Sequence, residues 1–200
     1  MAPVAVDPAH LRSFASQADF EAWLGAHHDS APELWIRIFK KNSGEPSITP
    51  KEAIDVCLCW GWIDAIRKSW DERSFVQRYT PRRPKSIWSQ VNRDNAERLI
   101  AAGKMTAHGL AQVEAAKADG RWERAYASGS TIQTPPDLLA AIEANPQALA
   151  TYRTLSRQNQ FAMAFRLGNL KTVAAREKKI VSFVEMLARG QTIYPQQAKP

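Results

Sequence analysis

Cysteine is nearly absent from this chain of 200 residues: there are two, Cys57 and Cys59, two positions apart. A disulfide between such close neighbours is strained and rare. On a helix their side chains point about 200° apart, so they do not converge on a metal ion, and the four histidines are scattered. Two buried reduced thiols and no metal site are therefore expected. Long hydrophobic runs are missing as well. No stretch of about 18 apolar residues occurs and mean hydropathy is −0.40, so no membrane-spanning helix is expected. The first 30 residues lack a basic start followed by an apolar stretch, so no secretory signal is expected and a cytoplasmic location is. There is no Gly-rich phosphate loop, no metal-spaced histidine pair and no nucleophile elbow. Catalysis is accordingly the less favoured reading, and no cofactor is expected.

What is present suits a folded chain. Hydrophobic residues make up 44%, with seven Trp, seven Phe and four Tyr to supply large buried area. The length allows one domain or two small ones. The net charge of +7 is unevenly spread: −4 over residues 1–64, +6 over 65–93, −2 over 94–150 and +7 over 151–200. Two basic blocks separated by acidic ones do not make a uniformly basic nucleic-acid coat; each could hold an anion or be a solvated face.

Local signals predict an α+β N-terminal domain over residues 1–130, with a small antiparallel sheet flanked by helices, and a small all-helical module over 131–200. Ser16-Gln17-Ala18-Asp19 has the form of a capping box before a helix over 17–27. Leu34 to Phe39 reads as a strand. Thr49-Pro50-Lys51-Glu52 starts a helix that Gly61 ends. Ile63 to Trp70 and Phe75 to Thr80 form a hairpin. Helices are predicted over 86–102 and 106–118, and residues 127–136 read as a linker. Beyond it, Thr134 caps a helix ending near Asn145, a second follows Pro146, and two more cover 156–167 and 173–188. Ile180, Phe183, Val184 and Leu187 make the apolar stripe of the last. All seven Trp lie at or before residue 122.

Several stretches carry a resemblance: Gly61-Trp62-Ile63-Asp64, Gln77-Arg78-Tyr79-Thr80-Pro81-Arg82-Arg83-Pro84, and Ser86-Ile87-Trp88-Ser89-Gln90-Val91-Asn92. With Lys40 to Gly44, Glu52 to Asp55 and Ala115 to Trp122, they resemble the bacterial YdeI/OmpD-associated family. Residues 136–195 resemble the helical module named for bacteriocin protection and OmpD association. The family usually has an acidic-Thr-Arg triplet entering the final helix; here Ala174 and Ala175 precede Arg176. The resemblance implies a bacterial stress or resistance role against bacteriocins or cationic antimicrobial peptides, and a porin association. It attaches no reaction.

The densest constellation of chemistry lies in residues 60–92. The expected ligand-binding residues are Trp62, Asp64, Arg67, Arg78, Thr80, Arg82, Arg83, Ser86, Trp88, Ser89 and Asn92. Arginine forks bind carboxylate and phosphate bidentately, and indole faces stack on planar groups. If a helix began at Ser86, its free N–H groups would favour an anion, giving a small-anion or phosphorylated-ligand pocket in which Asp64 orients an arginine. The plain alternative is packed tryptophans and a paired Asp–Arg. An enzyme of unknown reaction would use Asp64 as a general base in the same pocket; Cys57 would need a facing base. A protein partner is a further candidate, and nucleic-acid binding the lesser alternative. The His27-His28-Asp29 stretch reads as a solvated helix end.

Overall fold

The structure, a computed structural model, describes residues 5–127, 133–170 and 172–196. These divide after Ala125 into two compact units. The predicted 127–136 linker lies in part outside the described residues, as does Lys171.

The first unit holds a four-stranded sheet in the order β1-β2-β4-β3. The strands are β1 (Leu11–Arg12), β2 (Leu34–Phe39), β3 (Trp62–Ser69) and β4 (Ser74–Pro81). All neighbours are antiparallel except the two-residue β1, which runs parallel to β2 and has no clear sequence signal. The helices are α1 (Gln17–His27), α2 (Pro50–Cys59), α3 (Gln90–Ala101) and α4 (Ala107–Ala118). Capping boxes at Ser16 with Asp19 and Thr49 with Glu52 start the first two, satisfying amide groups that a helix leaves unpaired at its start.

Helix α2 is the hinge of this architecture because it is apolar on two sides. Ala53, Val56 and Cys57 join a core with Phe20, Leu24 and Leu34. Leu58 and Cys59 join a second core with Trp88, Leu99 and Val113. The two cysteines thus enter different cores, as their angular separation requires. Both are free and buried; burial pushes the Cys57 thiol well up and that of Cys59 to about 11.

One helix starts later than its sequence suggests. Ser89, not Ser86, caps α3, accepting from the Asn92 amide at 3.1 Å. The Ser86 hydroxyl instead accepts from the Arg83 amide at 2.9 Å. Trp88 is drawn into the second core, and burying that indole holds residues 86–88 out of helix.

The second unit contains α5 (Pro136–Glu143), α6 (Pro146–Arg153), α7 (Arg157–Gly168) and α8 (Val173–Ala188). Its core joins Leu138, Ile142, Leu155, Leu167, Phe183 and Leu187. Thr134 does not cap α5; Pro135 stands at the cap with no side-chain bond, and the Thr134 hydroxyl meets the Tyr152 hydroxyl at 2.5 Å. Among the described residues no helix is long and apolar enough to cross a membrane.

Candidate functional site

The β3–β4 hairpin sorts the predicted site residues by face, because side chains alternate along a strand. Asp64 pairs with Tyr79, and Arg67 with Gln77 after a bulge. Gln77 is buried and links the two charges. It donates to Asp64 Oδ2 at 3.3 Å and accepts at Oε1 from Arg67 Nε and Nη2 at 3.1 and 2.8 Å. The Asn92 side chain is near enough to favour the charged form of Asp64. Burial holds the Asp64 carboxyl above its ordinary value, against the opposing pull of its hydrogen bonds and of Arg82 and Arg67. Burial likewise raises the Tyr79 phenol. Thus Asp64, Arg67 and Asn92 come together, with Gln77 as a connector that the sequence did not single out.

Arg78 and Thr80 alternate to the other face. Arg78 pairs in register with Trp35 and its Nε donates to Glu33 Oε2 at 2.7 Å. It does not join the Asp64 cluster. Arg73 similarly meets Glu45 at 3.1 Å, so the basic block draws counter-charges from the acidic N-terminal segment. Arg83 is exposed and contributes its amide to the Ser86 turn. Ser89 is engaged as a helix cap.

Arg82 follows β4 and is only 7% exposed. Its guanidinium lies 3.7 Å from the Trp88 ring centroid, and Nη1 donates to the Ile87 carbonyl at 3.4 Å. Trp88 in turn meets Trp122 edge-on at 4.9 Å, and Arg121 Nη1 holds the Ser86 carbonyl at 2.7 Å. Arg82 and Trp88 are therefore packed inward while Arg83, Pro84, Lys85 and Ile87 stay exposed, and the space that Arg82 borders lies toward α2 and α4.

That space is a cleft of about 200 Å³ where the end of α2, the β3–β4 pair and α4 meet. Trp62 and Arg82 line it, together with Trp60, Pro81, Ala111 and Gln112. His28 and His108 complete the wall with Gly61. Two glycines allow it to form. Gly61 has φ +74°, and a β-carbon there would come within 3.0 Å of Gln112 Cγ and the His108 carbonyl oxygen. Gly109 lets α4 abut α2, and Thr106 Oγ1 donates to the Cys59 carbonyl at 2.6 Å.

The aromatic wall is tightly assembled. The His28 and His108 ring centroids are 3.9 Å apart, and the Trp60 and His108 rings are stacked 14° from parallel at 5.9 Å. His28 Nδ1 faces the Leu24 carbonyl at 3.2 Å, and Trp62 Nε1 donates to the His28 carbonyl at 3.1 Å. His28 Nε2 and Trp60 Nε1 are buried and have no hydrogen-bond partner among the described residues. The stretch read as a solvated helix end therefore contributes a packed histidine. No local signal marks His28, Trp60, His108 or Gln112 as neighbours; the glycines at 61 and 109 were the available hints.

Two family models match the chain. One, described as a domain of unknown function (DUF8412), matches residues 12–112 and so contains the hairpin and cleft. The other, described as "Bacteriocin-protection, YdeI or OmpD-Associated", matches residues 131–190. Comparison with curated proteins and with solved structures finds no match. The motifs between Gly61 and Asn92 fall in the first match, and the bacteriocin-protection description attaches to the helical unit. Over half its length the chain belongs to the family defined by that domain of unknown function, joined to a bacteriocin-protection, YdeI or OmpD-associated domain.

Proposed function

We propose that this chain is a resistance-type protein that acts by binding a small anionic ligand in the cleft beside Arg82. The carrying observation is a buried guanidinium in the wall of a cleft that also presents two imidazoles and two indoles. The guanidinium held against the Trp88 indole puts a fixed positive charge beside the cleft. Aromatic walls exclude water and strengthen the attraction between opposite charges.

The catalytic alternative draws less support from the geometry. Asp64 does not line the cleft; its carboxylate accepts from Gln77. In the binding reading Asp64 is a positioning residue whose charge acts on Arg82.

The test is a thermal-shift series on the full chain with acetate, benzoate, sulfate and inorganic phosphate. At least one anion should raise Tm; Arg82→Gln should cancel the rise, while Arg78→Gln, on the other sheet face, should retain it. No rise with any anion, or an undiminished rise in Arg82→Gln, overturns the proposal.

A further inference from the structure

We infer that the loop between β4 and α3, with the first turn of α3, is a docking surface for an acidic segment of a partner protein. Arg83 and Lys85 meet the carboxylates of that segment, and Ile87 and Val91 meet its aliphatic side chains.

The loop is fixed from inside the fold. The Ser86 amide donates to the Arg83 carbonyl at 2.9 Å, and the Ser86 hydroxyl accepts from the Arg83 amide at 2.9 Å. Pro84 stands second in this turn, where its restricted φ suits the bend. Arg121 Nη1 holds the Ser86 carbonyl at 2.7 Å, and Arg82 Nη1 the Ile87 carbonyl at 3.4 Å. Trp88 anchors the far end in the second core. A backbone held at so many points has little freedom left to lose on binding.

The side chains that this frame turns outward are not used by the fold. Arg83, Pro84 and Lys85 are exposed. Among the described residues neither cation has an ion pair or a side-chain hydrogen bond. The neighbouring charges are answered: Arg73 meets Glu45 and Arg78 meets Glu33. Of the nearby acids, Asp94 faces Arg93 at 3.5 Å and Asp119 is taken by Arg121 at 2.7 Å. Ile87 and Val91 are 39% and 49% exposed and join none of the three cores. Two unanswered cations beside two exposed aliphatic side chains match a partner that carries both carboxylates and apolar groups. None of these four residues lines the cleft, so the surface is separate from the anion site proposed above.

Other macromolecules fit the loop less well. Polybasic membrane sites gather about 4–8 cations, and this loop exposes Arg83 and Lys85 alone. Nucleic-acid binding draws on several phosphate contacts and, for single strands, on open aromatic faces. Trp88, the aromatic residue of the loop, is buried against Arg82.

The experiment is an amide-shift titration of the isotope-labelled full chain with a short synthetic peptide of glutamate and leucine spaced by serine. Its glutamine counterpart, phosphatidylglycerol–phosphatidylcholine vesicles and a single-stranded DNA oligonucleotide are run beside it. Shifts with the acidic peptide should saturate and centre on residues 83–91, and the glutamine peptide should bind at least fivefold more weakly. Arg83→Gln with Lys85→Gln, and separately Val91→Ser, should each lose at least fivefold in affinity at unchanged Tm, since these side chains do not support the fold. Absence of a saturable shift at 83–91, equal binding of the glutamine peptide, or an affinity that the double variant leaves unchanged overturns the inference. Vesicles or DNA that engage these residues more tightly than the peptide overturn it in favour of that partner. Concentration-dependent shifts of the free chain at 83–91, lost in the double variant, overturn it in favour of a second copy.

Discussion

A β-carbon placed on Gly109 would lie 2.3 Å from the carbonyl oxygen of Cys59 and 2.6 Å from that of Leu58. The first turn of α4 is thus packed directly on the backbone end of α2, and no flexible side chain is present to yield. Gly109→Ala must push the two helices apart. Overpacking of this kind costs about 2–3 kcal/mol, to be measured by urea unfolding. Gly168→Ala is the contrasting case. It stands at the end of α7 with nothing within 4 Å of the added carbon, and should change stability by no more than about 1 kcal/mol, in the stabilising direction.

That contact also marks where local reading of the chain stops. Helix starts at Thr49 and Ser16 were legible because a cap is written within four residues. The β2 strand and the α8 stripe were legible because their period is local. The shift of a helix start from Ser86 to Ser89 was not, since it follows from the docking of Trp88 against residues far along the chain. Strand alternation separates Arg78 from Asp64 once the register is known, but composition alone placed them in one pocket. His28 and His108 are 80 positions apart, and only tertiary packing brings their rings into contact.

Asp64 gives a pH prediction with a definite sign. Its folded-state pKa is raised, chiefly by burial, so the folded chain holds this proton to higher pH than the unfolded chain does. The linked stability is fully present below the ordinary carboxylate value of 3.8 and is lost as pH rises through the raised value. Asp64→Asn removes that loss. In urea unfolding across this range, the variant should gain on the wild type with rising pH and be at least as stable at neutrality. A variant that instead loses ground as pH rises would show that the pull of Arg82 and Arg67 outweighs desolvation.

Asn159 ties the C-terminal segment to α7. Fully buried, it donates to the Tyr194 carbonyl at 3.1 Å and to Gln196 Oε1 at 2.8 Å, and accepts from the Tyr194 amide at 2.9 Å. Asn159→Ala removes the hydrogen bonds that a fully buried side chain makes to this segment, at a cost of about 1–3 kcal/mol. Thermal unfolding should show the loss, and hydrogen exchange at the Tyr194 amide should accelerate out of proportion to the global change. Uniform acceleration throughout the second unit would mean that the segment is integral to its core.

Arg176 has a structural use in α8. Its Nε and Nη2 donate to Asp137 of α5 at 2.6 and 2.8 Å, and Nη1 reaches the Leu167 carbonyl in the last turn of α7 at 3.3 Å. The Arg176 bond holds the Asp137 carboxyl below its ordinary value. This contribution is therefore present above the ordinary carboxylate pKa and lost as pH falls through the depressed one. Both side chains are substantially exposed, so solvent and salt screen the pair, and a double-mutant cycle of Asp137→Asn with Arg176→Gln should give under about 1 kcal/mol, shrinking at high salt. Because Arg176 also holds the Leu167 carbonyl, Arg176→Gln alone should cost more than Asp137→Asn alone, and that excess should survive high salt. Equal single-variant costs would show that the Leu167 contact carries no stability and that Arg176 acts through Asp137 only.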